Sequence, residues 1–523
     1  MGNILWKLTR GKALCFILVL GLGGTFQTGY HMSGMSSPSP HIQSFINSSW
    51  HQRYGETPPP QTVTLIWSFI ISAYTVGGLC GGVSVKLVTG RFGRKKTMIG
   101  NNLFLIVGGV IMLTSKHANS FEMIIVARFL SGFGSGLGGS TQLMYLGESS
   151  LKQLRGTVTV SSMSYLSLGK LCGQLLGGEH QWNLLLFAPS CLAVVQVLAM
   201  PLFPEAPRYL LIEKGDVSAS RKALQSLWGP GEYQAEIDEM VAEKEILKGV
   251  HTKSLLEFFQ DRSVRCQIIT IVVISACVQL SGVSAVSIFS FDILHEAEVP
   301  VDRIRYVTLG FGFCEILASI ASSLIVEYTG RRPLLFGGFF TMFTTLVLIT
   351  VSLNLKVRLQ FTPPPHQPLM LNVCIGCDYK IYLGIFMSNM IVLFQYLGLW
   401  VAYCTAALFM ILIVFVTGGP RVHIALINDS FIQSHRPAAF TLIGFQRWGQ
   451  LSVLGFIFPF ILSGMGSFCF LLFACFCLLG ALYSFFLVPE TKGKTQLEVY
   501  QQFNAITVCG KSFGQDPVNE TKL

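Results

Sequence analysis

Twelve apolar runs, each long enough to cross a lipid bilayer, constrain this chain more than any other feature. They lie near 13–35, 64–88, 97–115, 121–146, 157–178 and 182–203, then near 266–291, 303–327, 333–353, 400–426, 438–461 and 467–488. A spanning helix needs about 17–25 apolar residues. Lipid offers no partner to a backbone N–H or C=O, so only helices or closed barrels cross it, and these runs are far longer than barrel strands. The predicted fold is therefore an all-α membrane protein with twelve transmembrane helices.

Charge is scarce, at 12% of residues, roughly half the share in soluble domains. Where it does cluster, it reports sidedness. GRFGRKK at 90–96 separates the second and third runs, and short cytoplasmic loops collect Lys and Arg. Arg91, Arg94, Lys95 and Lys96 thus place that turn inside, both termini in the cytoplasm and the 36–63 loop outside. The net charge of +10 is then a topology signal and does not point to nucleic acid. Lys7, Arg10 and Lys12 precede the first run without a small-residue cleavage pattern, so that run is helix one and no signal peptide. Trp6 stands where myristoylation wants Ser or Thr. Asn47-Ser48-Ser49 is a glycosylation sequon in the outer loop, whereas the sequon at Asn519 falls in the inner tail.

The charged turns repeat. Gly93-Arg94 is matched by Gly330-Arg331, an offset of 331 − 94 = 237. Glu148 and Arg155 are matched by Asp429 and Arg436 at 281, and Pro204-Glu205 by Pro489-Glu490 at 285. The expected organisation is a six-helix half over 1–204, a cytoplasmic helical linker over 205–265, a second half over 266–490 and a cytoplasmic tail over 491–523. Parallel repeats about an axis along the membrane normal are the plan of the major facilitators, with substrate near the midplane between the halves. The jump in offset, 281 − 237 = 44 residues, points to an insertion near 356–397, read as a disordered or re-entrant outer loop or a stretch retained by an imperfect gene model.

Acid and base at fixed spacing on helix ends can clamp neighbouring helices in one conformation. The expected clamps join Arg94 and Arg155 to Glu148 and Glu205, and Arg331 and Arg436 to Asp429 and Glu490. Near water each pair contributes about 0–1 kcal/mol, which suits a latch that opens every cycle. The bland alternative is that these charges serve topology alone.

GRFGRKK, ARFLSG with GESSLKQLRG, PEAPRYLL, VEYTGRRPLL, HRPAAF and PETKGKT, in that order, resemble the signatures of the facilitative hexose transporters, the sugar-porter branch of the major facilitators. The resemblance covers nearly the whole chain outside 356–397 and leans toward the fructose and urate carriers. Gly90 departs from it, standing where an acidic or amide residue is usual. The resemblance implies substrate contacts at Gln174, Gln279 and Trp448, with Ser284 in place of an asparagine. Other positions are changed to apolar residues: Met163, Val278, Leu451, Val416 and Ile424. A neutral sugar wants amides, hydroxyls and an aromatic face.

Three ionisable residues lie at membrane depth, where charge is expensive and marks a pathway or a partner. Lys170 and Glu315 either pair across the halves, or Lys170 and Arg421 attract an anion, or the side chains snorkel. His31, in GYHMSG, occupies the position where proton-coupled sugar porters carry Asp; it is a coupling candidate or simply a polar histidine in the cavity wall.

Other motifs carry little. Gly134, Gly136 and Gly139 match a dinucleotide fingerprint but lie inside a membrane run, where small residues allow helix packing. The 14 cysteines read mostly as small buried hydrophobes, and CIGC at 374–377 lacks a second pair. No arrangement suggests an enzyme, a metal or a cofactor. The linker stretch EIDEMVAEKEILK keeps a helical period, and Thr521-Lys522-Leu523 resembles a PDZ ligand. The expected protein is a plasma-membrane carrier of glucose or fructose, monomeric as a working unit. The alternatives are a urate or organic-anion carrier and a transporter-like sensor that does not cycle.

Overall fold

The computed structural model describes residues 11–36, 38–151, 155–175, 182–249, 264–296, 299–361, 400–423 and 436–491, with 426, 430–431, 499 and 502–503. Among the described residues all regular structure is helical. In the first half these are α1 (Ala13–Gly23), α2 (Thr25–Ser33), α3 (Ser39–Tyr54), α4 (Pro60–Phe92), α5 (Arg94–Ser115), α6 (Phe121–Ser149), α7 (Arg155–Leu175) and α8 (Trp182–Ala199). The linker carries α9 (Val217–Trp228) and α10 (Gln234–Gly249). The second half has α11 (Arg265–Gln279), α12 (Val283–Ile288), α13 (Ser290–Glu296), α14 (Val301–Thr329), α15 (Arg331–Phe361), α16 (Trp400–Gly418), α17 (Arg436–Met465) and α18 (Cys469–Phe486).

Ten stretches of the described residues are long and apolar enough to cross a membrane. The stretch Thr441–Phe486 holds two of these helices, α17 and α18, joined by a short 3-10 turn. With the more polar α7, which packs between α2 and α14, the twelve expected crossings are accounted for. The bundle inverts the polarity of a soluble protein: Leu87, Leu198 and Phe486 point outward, whereas Arg128, Gln142, Lys170 and Glu315 are buried. That is the distribution a lipid solvent selects.

Gly24 and Gly282 each interrupt a crossing. Gly24 parts α1 from α2 with φ −119° and ψ −96°. Gly282, at φ +82°, parts α11 from α12, and a Cβ there would fall 2.3 Å from the Phe473 ring. Only glycine meets both demands at that position.

The outer-loop stretch contains a helix that the apolar pattern did not announce. α3 carries an exposed Asn47, while Ser49 of the same sequon is buried and donates to the Asn119 carbonyl at 2.8 Å. α15 continues to Phe361 without a break, into the first residues of the insertion expected near 356–397. Residues 362–399 lie outside the described residues.

The linker rests on the first half. Leu224, Leu227, Trp228, Ile237 and Met240 join a core with Phe16, Leu20, Met98, Tyr145 and Phe203. Trp228 Nε1 donates to the Ser149 carbonyl at 2.9 Å. Asp216 caps α9 by accepting from Ala219 N–H at 2.9 Å, and this bond holds its carboxyl below the usual range.

Candidate functional site

The charged turns gather at one end of the bundle. Arg94 opens α5, and its Nη2 lies 2.8 Å from Glu148 and 2.7 Å from Glu213, with the guanidinium 4.5 Å over the Tyr209 ring. Glu205 works differently: Oε1 accepts from the backbone N–H groups of Arg94 at 3.0 Å, Lys95 at 2.9 Å and Ala206 at 3.0 Å. It caps a helix N-terminus, where unpaired donors and the helix dipole favour a carboxylate.

The second half repeats this device. Glu490 accepts from Arg331 N–H at 3.0 Å, Arg332 N–H at 3.1 Å and Thr491 N–H at 2.9 Å. Gly93 and Gly330, at φ +84° and +94°, turn the chain into these caps. A Cβ on either would come within 2.6 Å of Glu205 or 2.8 Å of Glu490. The repeat seen as spaced charges is therefore a repeat of backbone geometry. The side chains of Arg155, Arg421 and Arg436, and the whole of Asp429 and Ile424, lie outside the described residues.

The two halves meet at mid-bundle and again at the end opposite the capped turns. Lys170 of α7 meets Glu315 of α14 at 2.8 Å to Oε1 and 3.1 Å to Oε2, with both residues buried. Arg305 Nη2 donates to the Leu175 carbonyl at 2.9 Å, and Ser39 Oγ donates to Asp292 Oδ1 at 3.2 Å. Burial pushes the Asp292 carboxyl up to about 6. The last two contacts close the halves together at the end opposite the capped turns, and the ion pair lies deeper, at the middle of α14.

The residues named for substrate binding lie along this seam. Trp448 of α17 packs into a notch made by Gly78 and Gly82 of α4, with its ring 6.1 Å from Tyr74. Tyr74 in turn carries the buried Arg128 guanidinium 4.4 Å over its face and lies 6.0 Å from the His31 ring. Arg128 Nη1 donates to the His31 carbonyl at 3.0 Å. Gln279 ends α11 at the interruption, within 3.5 Å of Ser284 Oγ. Gln174 is buried in α7 against Gly312 of α14, and its Oε1 has no hydrogen-bond partner. Gln174, Lys170 and Glu315 thus share the α7–α14 contact, while Trp448 belongs to the α4–α17 contact.

Leu451, Val278 and Val416, apolar where amides or acids were expected, are buried or half-buried. A separate groove of about 430 Å³ between α11, α17 and α18 is lined by Leu280, Phe445, Gln446, Gln450, Val453 and Phe473, among others, and includes none of the named binding residues.

Sequence reasoning missed Glu213, Asp292 and Arg128 as participants. Arg128 stood in the quoted ARFLSG, but nothing in one sequence says that its partners are an aromatic face and a carbonyl.

A helical bundle of two halves, sealed across its middle by a buried ion pair and capped alike at one end, is a major facilitator. The chain belongs to the sugar (and other) transporter family, whose model matches residues 15–361 and 372–503. It is 35% identical over 501 residues to solute carrier family 2, facilitated glucose transporter member 9 of Homo sapiens, covering 94% of this chain and 86% of the relative. Identity is also 35% to member 11 of Homo sapiens (97% and 96% covered) and to member 5 of Equus caballus (95% and 93%). Among solved structures, the fold is similar to the proton:xylose symporter XylE bound to 6-bromo-6-deoxy-D-glucose, at TM-score 0.69 and 18% identity over 93% of this chain and 98% of that one. A partially occluded inward open form of XylE from E. coli gives 0.68 at 17% identity, covering 92% and 98%.

Proposed function

We propose that the chain is a facilitative carrier of glucose or fructose that works by alternating access in the plasma membrane. The observation that carries this reading is the asymmetry of contacts: beyond the mid-bundle Lys170–Glu315 pair, the halves are joined through Arg305–Leu175 and Ser39–Asp292 at one end, and each is capped within itself at the Arg94 and Arg331 end. On the positive-inside trend the capped end is cytoplasmic, as are both termini, and Asn47 is outside and glycosylated. This is then the state closed to the outside.

Gln174, Gln279, Ser284 and Trp448 offer the amide, hydroxyl and aromatic contacts for a neutral ring, with no cofactor and no chemistry on the sugar. Lys170 is neutralised by Glu315, which favours a neutral substrate over an anion. The clamp at Arg94 and Glu148, with Glu205 capping the helix that opens at Arg94 and Glu490 the one that opens at Arg331, steadies each half. Arg155, Asp429 and Arg436 complete the set in this reading. Breakable clamps in both halves favour a cycling carrier over a static sensor. The working unit is one chain, and the terminal Thr-Lys-Leu is a weak PDZ ligand.

The test is uptake of labelled glucose and fructose by proteoliposomes containing purified protein. Saturable uptake supports the reading. Absence of both, with folded protein in the vesicles, overturns it.

A further inference from the structure

The interruption at Gly24 lies near the boundary of two cores, with Leu22 of α1 packed against the second and Tyr165 of α7 against both. α1 contributes Ala13, Phe16, Ile17 and Leu20 to the cluster shared with the linker. α2 contributes Phe26 and Tyr30 to another cluster with Leu185. α2 also presses on α7, where Gly29 and Gly169 allow backbone contact, and α7 carries Lys170. The break therefore lies close to where the helix passes from the part tied to the capped end to the part tied to α7.

A broken helix frees backbone groups that lipid cannot satisfy. Here Gln142 takes one of them, and Gln196 adds a bond to a carbonyl inside the last two turns of α1. Gln142 of α6 accepts from Thr25 N–H, the first residue of α2, at 2.6 Å. Gln196 of α8 donates through Nε2 to the Val19 carbonyl of α1 at 3.2 Å, while its Oε1 accepts from Asn102 Nδ2 at 2.9 Å. All three amide residues are buried. The fit is tight: a Cβ on Gly23 would fall 1.9 Å from Gln196, and one on Gly24 would fall 2.1 Å from Gln142. The Nε2 of Gln142 has no partner, so its carbonyl oxygen alone makes the bond.

We propose that Gly24 is a built hinge in the first crossing and that Gln142 and Gln196 are positioning residues, each holding one side of it during the transport cycle. Gln142 fixes the start of α2, and with it His31, Tyr30 and the α7 surface. Gln196 fixes the last turn of α1 against the linker side. The proposal rests on the alternating-access reading, because a hinge matters only to a protein that changes state.

The test uses the full chain with Gln142→Met, which keeps the size and removes the acceptor, and Gln142→Glu, which keeps an acceptor oxygen. Hydrogen exchange over residues 20–28 of the purified protein is expected to quicken at least fivefold in Gln142→Met and to stay near wild type in Gln142→Glu. Equal exchange in all three overturns the proposal, whether or not any sugar is carried.

In proteoliposomes, the ratio of equilibrium exchange to net influx of the labelled hexose does not depend on the amount of active protein. It is expected to change at least threefold in Gln142→Met and to be restored in Gln142→Glu. An unchanged ratio in a transporting Gln142→Met sinks the hinge while leaving the carrier reading intact. Lack of uptake by wild type counts against the carrier reading alone. If Gln142→Met does not fold, Gln196→Met is judged on the same two readouts.

Discussion

Lys170 and Glu315, 145 residues apart, form a buried ion pair that joins the two halves of the bundle at 2.8 Å. Desolvating two charges offsets much of their attraction, yet removing one partner leaves the other buried alone. Glu315→Gln or Lys170→Met should each destabilise the purified protein by about 3–5 kcal/mol. Lys170→Met with Glu315→Met should recover most of that. Thermal midpoints in detergent across the double-mutant cycle check this, and additive losses would deny the pairing its energetic role.

The Arg94–Glu148 contact predicts rescue by reversal. Glu148→Arg alone should lower uptake by about tenfold, since about 1.4 kcal/mol of lost clamp corresponds to that factor. Adding Arg94→Glu should restore part of it. Recovery will be partial, because Glu213 also contacts Arg94 and would then face a like charge. Initial rates of uptake, normalised to surface protein, decide it; a double variant no better than the single one would speak against a latch.

The matched glycines predict matched damage. Gly93→Ala and Gly330→Ala each force a left-handed backbone on a residue with a Cβ and press it onto the Glu205 or Glu490 cap. Each should lose more than about 1 kcal/mol of stability. Gly337→Ala, where nothing lies within 4 Å of the new Cβ, should lose little. Midpoints that do not separate these variants would contradict the capping account.

Spacing singled out Arg94, Glu148 and Glu205 in the first half and Arg331 with Glu490 in the second, because charge is rare enough in a membrane chain to stand out. It did not reveal that Glu205 and Glu490 bind backbone N–H groups, since cap geometry depends on the approach of two distant segments. The crossings were legible from apolar length alone. The hinge at Gly24 was not, because a single Gly-Gly pair in an apolar run looks like any packing notch until Gln142 and Gln196 are seen beside it. α3 was missed because its amphipathic signal is weak and it lies in a stretch that ends in three consecutive prolines at 58–60.

Asp292 gives a pH dependence with a definite sign. Its carboxyl titrates near 6 in this sealed state, against an ordinary value of 3.8. The sealed state therefore binds the proton more tightly than the unfolded chain does. Its burial cost is present in full above about pH 6 and is relieved as pH falls from 6 toward 4. The sealed state should gain stability on acidification from pH 7 to 5.5, and Asp292→Asn should flatten that part of the curve. Thermal midpoints against pH read it; the same slope in Asp292→Asn would assign it to other groups.

The central claim is facilitative transport of a neutral hexose. The most direct measurement is uptake of labelled glucose and fructose into proteoliposomes, with and without an imposed proton gradient. The account predicts saturable uptake of at least one sugar, at the same rate with and without the gradient. Accumulation that depends on the gradient, or no saturable uptake of either sugar, would contradict it.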